Sequence, residues 1–129
     1  MSEPVWLTES LVIDIHAEQL AIFGGPAGIR DNGLLSSALA RAPNKFAYGE
    51  TDRAALAAAY VFGIAKNHPP IDGNKRASFA ALIVFLGLNG IDFIVPETHA
   101  TAMILEVAAG NVSEDGLARW IRDNWPPSE

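Results

Sequence analysis

The chain has 129 residues, half of them hydrophobic, with a formal net charge of −6 and no cysteine. That length fits one domain with a core of its own, and the apolar share excludes a disordered chain. The acidic balance argues against a general nucleic-acid binder, and the lack of cysteine excludes disulfides and thiolate metal sites.

The first residues, "MSEPVWLTES", have no basic stretch ahead of an apolar one, so no signal peptide is expected. "LTESLVIDIHAEQLAIFGG" predicts a helix with Thr8 as N-cap and Leu11, Ile15, Ala17, Leu20 and Ile22 at rough helical spacing, ended by Gly24-Gly25-Pro26. "GIRDNGLLSSALARAP" predicts a second helix, capped near Asp31 and stopped by Pro43. "NKFAYGE" then reads as a short loop, equally a plain connection or a binding element. "TDRAALAAAYVFGIAKN" predicts a third helix, whose alanines allow close packing. Pro69 disfavours helical geometry at His68 and ends it there.

The fourth helix is expected from about Gly73–Lys75 to Leu88. Phe79 to Leu88 is apolar or glycine throughout, too short a run to span a bilayer. With no polar face left, this helix is expected to be buried on all sides, at the centre of the fold. "LGLNGIDFIV" gives a turn and at most one short extended piece. "PETHATAMILEVAAGN" predicts a fifth helix with Pro96 in its first turn, and "SEDGLARWIRDNW" a sixth, capped by Ser113. No strand-type alternation recurs, so the class is all-α, a compact bundle of about six helices around a buried central one.

"HPPIDGNKR" carries the chemistry. Lys75 and Arg76 stand at a helix N-terminus, where each cation is unfavourable by about 0.3–1 kcal/mol. An anion at the helix tip would offset that. The first turn offers unpartnered backbone N–H groups, and Gly73 lets a ligand approach them. Asp72 could hold a divalent cation against phosphate oxygens, and His68 could take a proton from an attacking hydroxyl. Together they form a kit for phosphoryl or nucleotidyl transfer. The same residues also read as an ordinary turn, with Asp72 a cap and the cations reaching out to water. No G-x-x-x-x-G-K-[ST] is present, so this is not a P-loop. His16 and His99 have no spaced partners and read as structural or exposed. Trp6, Trp120 and Trp125 read as packing or partner surface.

"HPPIDGNKR" resembles the Fic/Doc superfamily signature, in the death-on-curing (Doc) toxin form H-x-F-x-[DN]-[GA]-N-K-R. "FGGPAGIRDNGLLSSALARAP" and "AAAYVFGIAKNH" resemble the stretches that precede the motif in Doc-like proteins, and "FLGLNG" the one that follows. The likeness runs from about His16 to Ile94. It implies a single Fic/Doc (Fido) domain over residues 1–129, with the motif at the start of the central helix. It implies a cytoplasmic toxin of a type II toxin–antitoxin system that uses ATP and Mg to phosphorylate a protein Thr or Ser hydroxyl, on elongation factor Tu, and so blocks translation. His68 would be the general base and Asp72 the metal residue. Gly73, Asn74 and Lys75 would cradle phosphate, and Arg76 would contact it. Asn44, Lys45, Phe46, Ala47 and Tyr48 would lie where Fic proteins carry a target-docking flap. The implied partner is a Phd-like antitoxin with a disordered segment that folds on binding; neither direct nucleic-acid binding nor membrane association is expected.

Most other Fic proteins transfer AMP, with a signature ending G-N-G-R-x-x-R. Here Lys75 replaces the second glycine and Phe79 the last arginine, which favours phosphoryl transfer. The alternatives are an AMP-transferring enzyme or, because Pro70 replaces the family's Phe, a catalytically weak partner-binding module. The self-inhibitory [ST]-x-x-x-E-[GN] has no match, so inhibition is expected from a separate chain.

Overall fold

The computed structural model describes residues 3–14, 32–67 and 72–126, with side chains described at all of these except 32–35, 66–67 and 72–77. Among them the chain is all-helical, with no strand. The helices are α1 (9–14), α2 (Asn32–Ala47), α3 (Arg53–Asn67), α4 (Asp72–Leu88), α5 (Glu97–Ala108) and α6 (Glu114–Asp123). His16, the expected stop at Gly24–Pro26 and the expected cap at Asp31 lie outside the described residues.

Side-chain oxygens start three of the helices. Thr8 Oγ1 accepts from the Leu11 N–H at 3.1 Å, Asp52 Oδ1 from the Ala54 N–H at 3.0 Å, and Ser113 Oγ from the Gly116 N–H at 3.0 Å. Each satisfies a donor that the first turn of its helix leaves open. Residues 91–96 link α4 to α5 without regular structure, with Phe93 turned into the core.

Pro43 does not stop α2. The helix carries it internally and runs on to Ala47, so most of the expected "NKFAYGE" loop is helix. An internal proline forfeits a hydrogen bond and costs about 3 kcal/mol. The next turn offsets that cost. Phe46 packs against the core with the Trp6 ring 5.6 Å away, and Lys45 donates to Glu114 at the start of α6. The true stop is Gly49, at φ +107°. Its N–H donates to Phe46 O, and that of Glu50 to Lys45 O, both at 3.0 Å. This pair closes a helix on a left-handed residue, which glycine adopts without a Cβ clash. The same pattern closes α4 at Gly90 and α5 at Gly110.

The central position among the described residues belongs to α3, not α4. Every residue from Ala54 to Val61 is buried, and α3 packs against α2, α4, α5 and α6. Alanine methyls let that many helices come close. On α4, Ser78, Ala81, Leu82, Phe85 and Leu86 are buried, while Phe79, Ile83 and Val84 are half-buried and Leu88 is exposed. Its bulk fills space on one side, and the uniform apolar run hid that asymmetry.

The N-terminal segment 3–8 is fastened across the middle of α3 and the end of α4. The Val5 N–H donates to Asn89 Oδ1 at 2.8 Å, and Asn89 Nδ2 donates to Val5 O at 3.0 Å and to Phe85 O at 2.8 Å. The Leu7 N–H donates to the Tyr60 hydroxyl at 3.1 Å. Trp6 stacks on Phe85 at 6.2 Å, and Phe85 packs on Tyr60 at 5.0 Å. Burial pushes the Tyr60 phenol up to about 12, against the smaller lowering effect of the Leu7 hydrogen bond. Trp6, Trp120 and Trp125 are all partly buried against the core, so the packing reading holds for them.

Candidate functional site

α3 ends at Asn67 and α4 begins at Asp72, so the motif falls on the joint between them. His68 and Pro70 lie outside the described residues. Asp72, Gly73, Asn74, Lys75 and Arg76 make up the opening of α4 by their backbone. The first four N–H groups of such a helix have no partner inside it, and the helix dipole adds positive charge there. This turn can therefore receive an anion. Just beyond, Ser78 is fully buried and its hydroxyl has no hydrogen-bond partner among the described residues. Phe79 packs against the hydrophobic core.

The five residues expected as a docking flap lie elsewhere. α2 and α3 run antiparallel. They are joined by a short turn, and the Arg41 guanidinium lies 5.3 Å from the Phe62 ring centre. A Cβ on Gly63 would stand 3.1 Å from the Ala38 Cα, so the backbones nearly touch there. α4 returns antiparallel to α3 on another side. The C-terminal ends of α2 and α4 therefore meet beside the start of α3, where Trp6 touches both Phe46 and Phe85. The first turn of α4 is at the other end of α3, whose 15 residues span about 22 Å at ~1.5 Å each. Asn44, Lys45, Phe46 and Ala47 form the last turn of α2, and Tyr48 follows, 93% exposed. The structure does not bring these five residues to the motif.

They border a different feature. Arg41, Asn44, Lys45, Tyr48, Gly49 and Glu50 line an open groove of about 610 Å³ with Glu114. Both Arg41 and Lys45 donate to the Glu114 carboxylate. Burial works against that charge, but the hydrogen bonds from Lys45 and Arg41 and their positive charges outweigh it, and the Glu114 carboxyl is held below its ordinary value. At the other end of α6, Arg122 Nε donates to Asp52 Oδ2 at 2.5 Å. The groove's cations are thus committed within the fold.

A model of the Fic/DOC family matches residues 6–86. The chain belongs to the Fic/DOC family. Among its relatives, Toxin Doc of Mycolicibacterium smegmatis (strain ATCC 700084 / mc(2)155) is 40% identical over 103 residues, covering 74% of this chain and 77% of the relative. Protein kinase doc of Escherichia phage P1 is 29% identical over 112 residues, covering 86% and 88%. The Fic/DOC match takes in α1 to α4, including both Trp6 and Phe85.

Sequence reasoning gave Tyr60 and Asn89 no role, although both lie in the flanking stretches that carry the resemblance. Their partners lie 53 and 84 residues away, beyond any local pattern. Among the described residues, no helix is long and apolar enough to cross a membrane.

Proposed function

We propose that this chain is a Doc-type toxin that transfers the γ-phosphoryl group of ATP to a Ser or Thr hydroxyl of a protein, with elongation factor Tu as the target. One observation carries the choice of phosphoryl over AMP transfer. Phe79, three residues after Arg76, packs against the core. Residues i and i+3 share a helix face, so an arginine there would reach the same polyphosphate as Arg76. A phenylalanine cannot, and the pose that AMP transfer needs loses a ligand. The names of the two relatives, a toxin and a protein kinase, support the same reading.

In this reading His68 removes the proton from the attacking hydroxyl. Gly73, Asn74 and Lys75 cradle phosphate on the first turn of α4, and Arg76 pairs with it. Asp72 holds magnesium, an ion that often binds one or two carboxylates plus substrate phosphates rather than an all-protein cage. A lone carboxylate beside a phosphate-binding turn fits it. When bound, the metal neutralises charge on the phosphates. The 129 residues act as one Fido domain in the cytoplasm. A Phd-like antitoxin encoded as a separate chain restrains it through a segment that folds on binding.

The test is incubation with elongation factor Tu and ATP labelled at the α or the γ position. Label retained from γ alone supports the proposal; label from α overturns it in favour of AMP transfer. Label from neither points to a partner-binding module and to Pro70. His68→Ala should lower transfer about 10²–10⁴-fold, the usual loss of a general base.

A further inference from the structure

We infer that residues 5–7 are a strap that sets how α3 lies against α4, with Tyr60, midway along α3, and Asn89, just past the end of α4, as positioning residues for the motif where the two helices join. The kinetic part of this inference rests on the function proposed above.

The joint is short: four residues separate Asn67 from Asp72. It ties the two helices at one end only. Two helices joined in the chain at one end can slide or scissor unless contacts elsewhere fix them. The surface of α3 offers little grip for this. Ala54, Ala55, Ala57, Ala58 and Ala59 are all buried, and methyl groups make shallow ridges. Register must come from larger groups: Leu56, Val61 and Ile64 are buried in the core, and Tyr60 reaches the strap as well.

The contacts form a closed ring. The Leu7 N–H donates to the Tyr60 hydroxyl on α3. The Tyr60 ring meets Phe85 on α4, and Phe85 stacks on Trp6, the neighbour of Leu7. Asn89 closes α4 onto the same segment by gripping the Val5 N–H and C=O together. Neither helix can slide without breaking a bond to a segment that also holds the other. Rigid helices carry that constraint along to the end of α3 at Asn67 and the start of α4 at Asp72. Catalysis is sensitive there, since a misplacement of ~1 Å costs about a hundredfold in rate.

The experiment uses the whole chain with Tyr60→Phe and Asn89→Ala, separately. Tyr60→Phe keeps the ring and removes only the acceptor for Leu7; Asn89→Ala removes all three amide bonds. A third variant, Ile104→Val in the core of α5, lowers stability without touching the strap. Two quantities are read: transfer kinetics, and hydrogen exchange of the amides of residues 76–80, which close the first turns of α4. Both strap variants should lower kcat about tenfold while KM for ATP changes less than twofold, because backbone phosphate contacts survive while alignment does not. Exchange at 76–80 should quicken several-fold more than in Ile104→Val at equal loss of stability. If the strap variants match Ile104→Val in both readouts, the segment only fastens the fold and the inference falls. If the parent transfers no phosphate, the proposed function fails, and the exchange comparison alone decides the strap.

Discussion

α3 and α4 are close in length and opposite in composition. α3 is built on alanine, yet it is the helix that four others enclose. α4 carries Phe79, Leu82, Ile83, Val84, Phe85 and Leu86 in a near-continuous run, yet packs one side deeply and buries the other only in part. Centrality follows from how closely neighbours can approach, and hydrophobic bulk works against close approach. A helix of small residues makes a hub. A helix of large ones makes a wall, and here that wall carries the motif at one end and the strap contact at the other.

The comparison can be broken at its largest contact first. Phe85 is fully buried between Trp6 and Tyr60. Phe85→Ala should cost about 3–5 kcal/mol in urea unfolding. A loss under 1 kcal/mol would mean that the wall does not lean on this ring.

The hub should respond to addition as the wall responds to removal. Ala58 is fully buried on α3, so Ala58→Leu should cost about 1–3 kcal/mol by overpacking. The same kind of enlargement on the half-buried side of α4, Val84→Leu, should cost less than that range, under about 1 kcal/mol, because the side chain is open to solvent on one side. Equal costs at the two sites would erase the distinction.

Ser78 sharpens it further. Its buried hydroxyl, unpartnered among the described residues, is a cost to the wall's inner side. Ser78→Ala should raise the melting temperature, by about 1 kcal/mol of stability. A drop instead would show that the hydroxyl has a partner that matters.

The smallest effect is a pH dependence outside both helices. Glu114 has a folded value held below the ordinary 4.5, so its charged form favours the fold. That contribution is complete above the ordinary value and disappears as the pH falls through the lowered one. Glu114→Gln should flatten the acid limb of the stability profile and leave the neutral region lower by a constant amount.

Much of this was legible in the sequence because it is local. Thr8 and Ser113 cap the helices they were expected to cap, and the fourth helix begins with the motif. Pro43 misled because proline's rule is local while Phe46 and Lys45 find partners at Trp6 and Glu114, far along the chain. Gly49 was the better signal, six residues later. Once α2 ran on, Asn44 to Ala47 became helix, and the antiparallel return of α3 carried them and Tyr48 away from the motif. The strap was invisible for the same reason: nothing near Val5 names Asn89.

The span between those two residues also has a cost in time. The helix pairs α2–α3 and α3–α4 join neighbours in the chain and can form as soon as both members exist. The strap closes a loop of 84 residues and gains nothing until its far partner is made. At ~5–20 residues per second, Val5 is synthesised roughly 4–17 s before Asn89. The first stretch of this protein to be made is among the last to find its place, and until Phe85 is made Trp6 lacks the ring it will stack on.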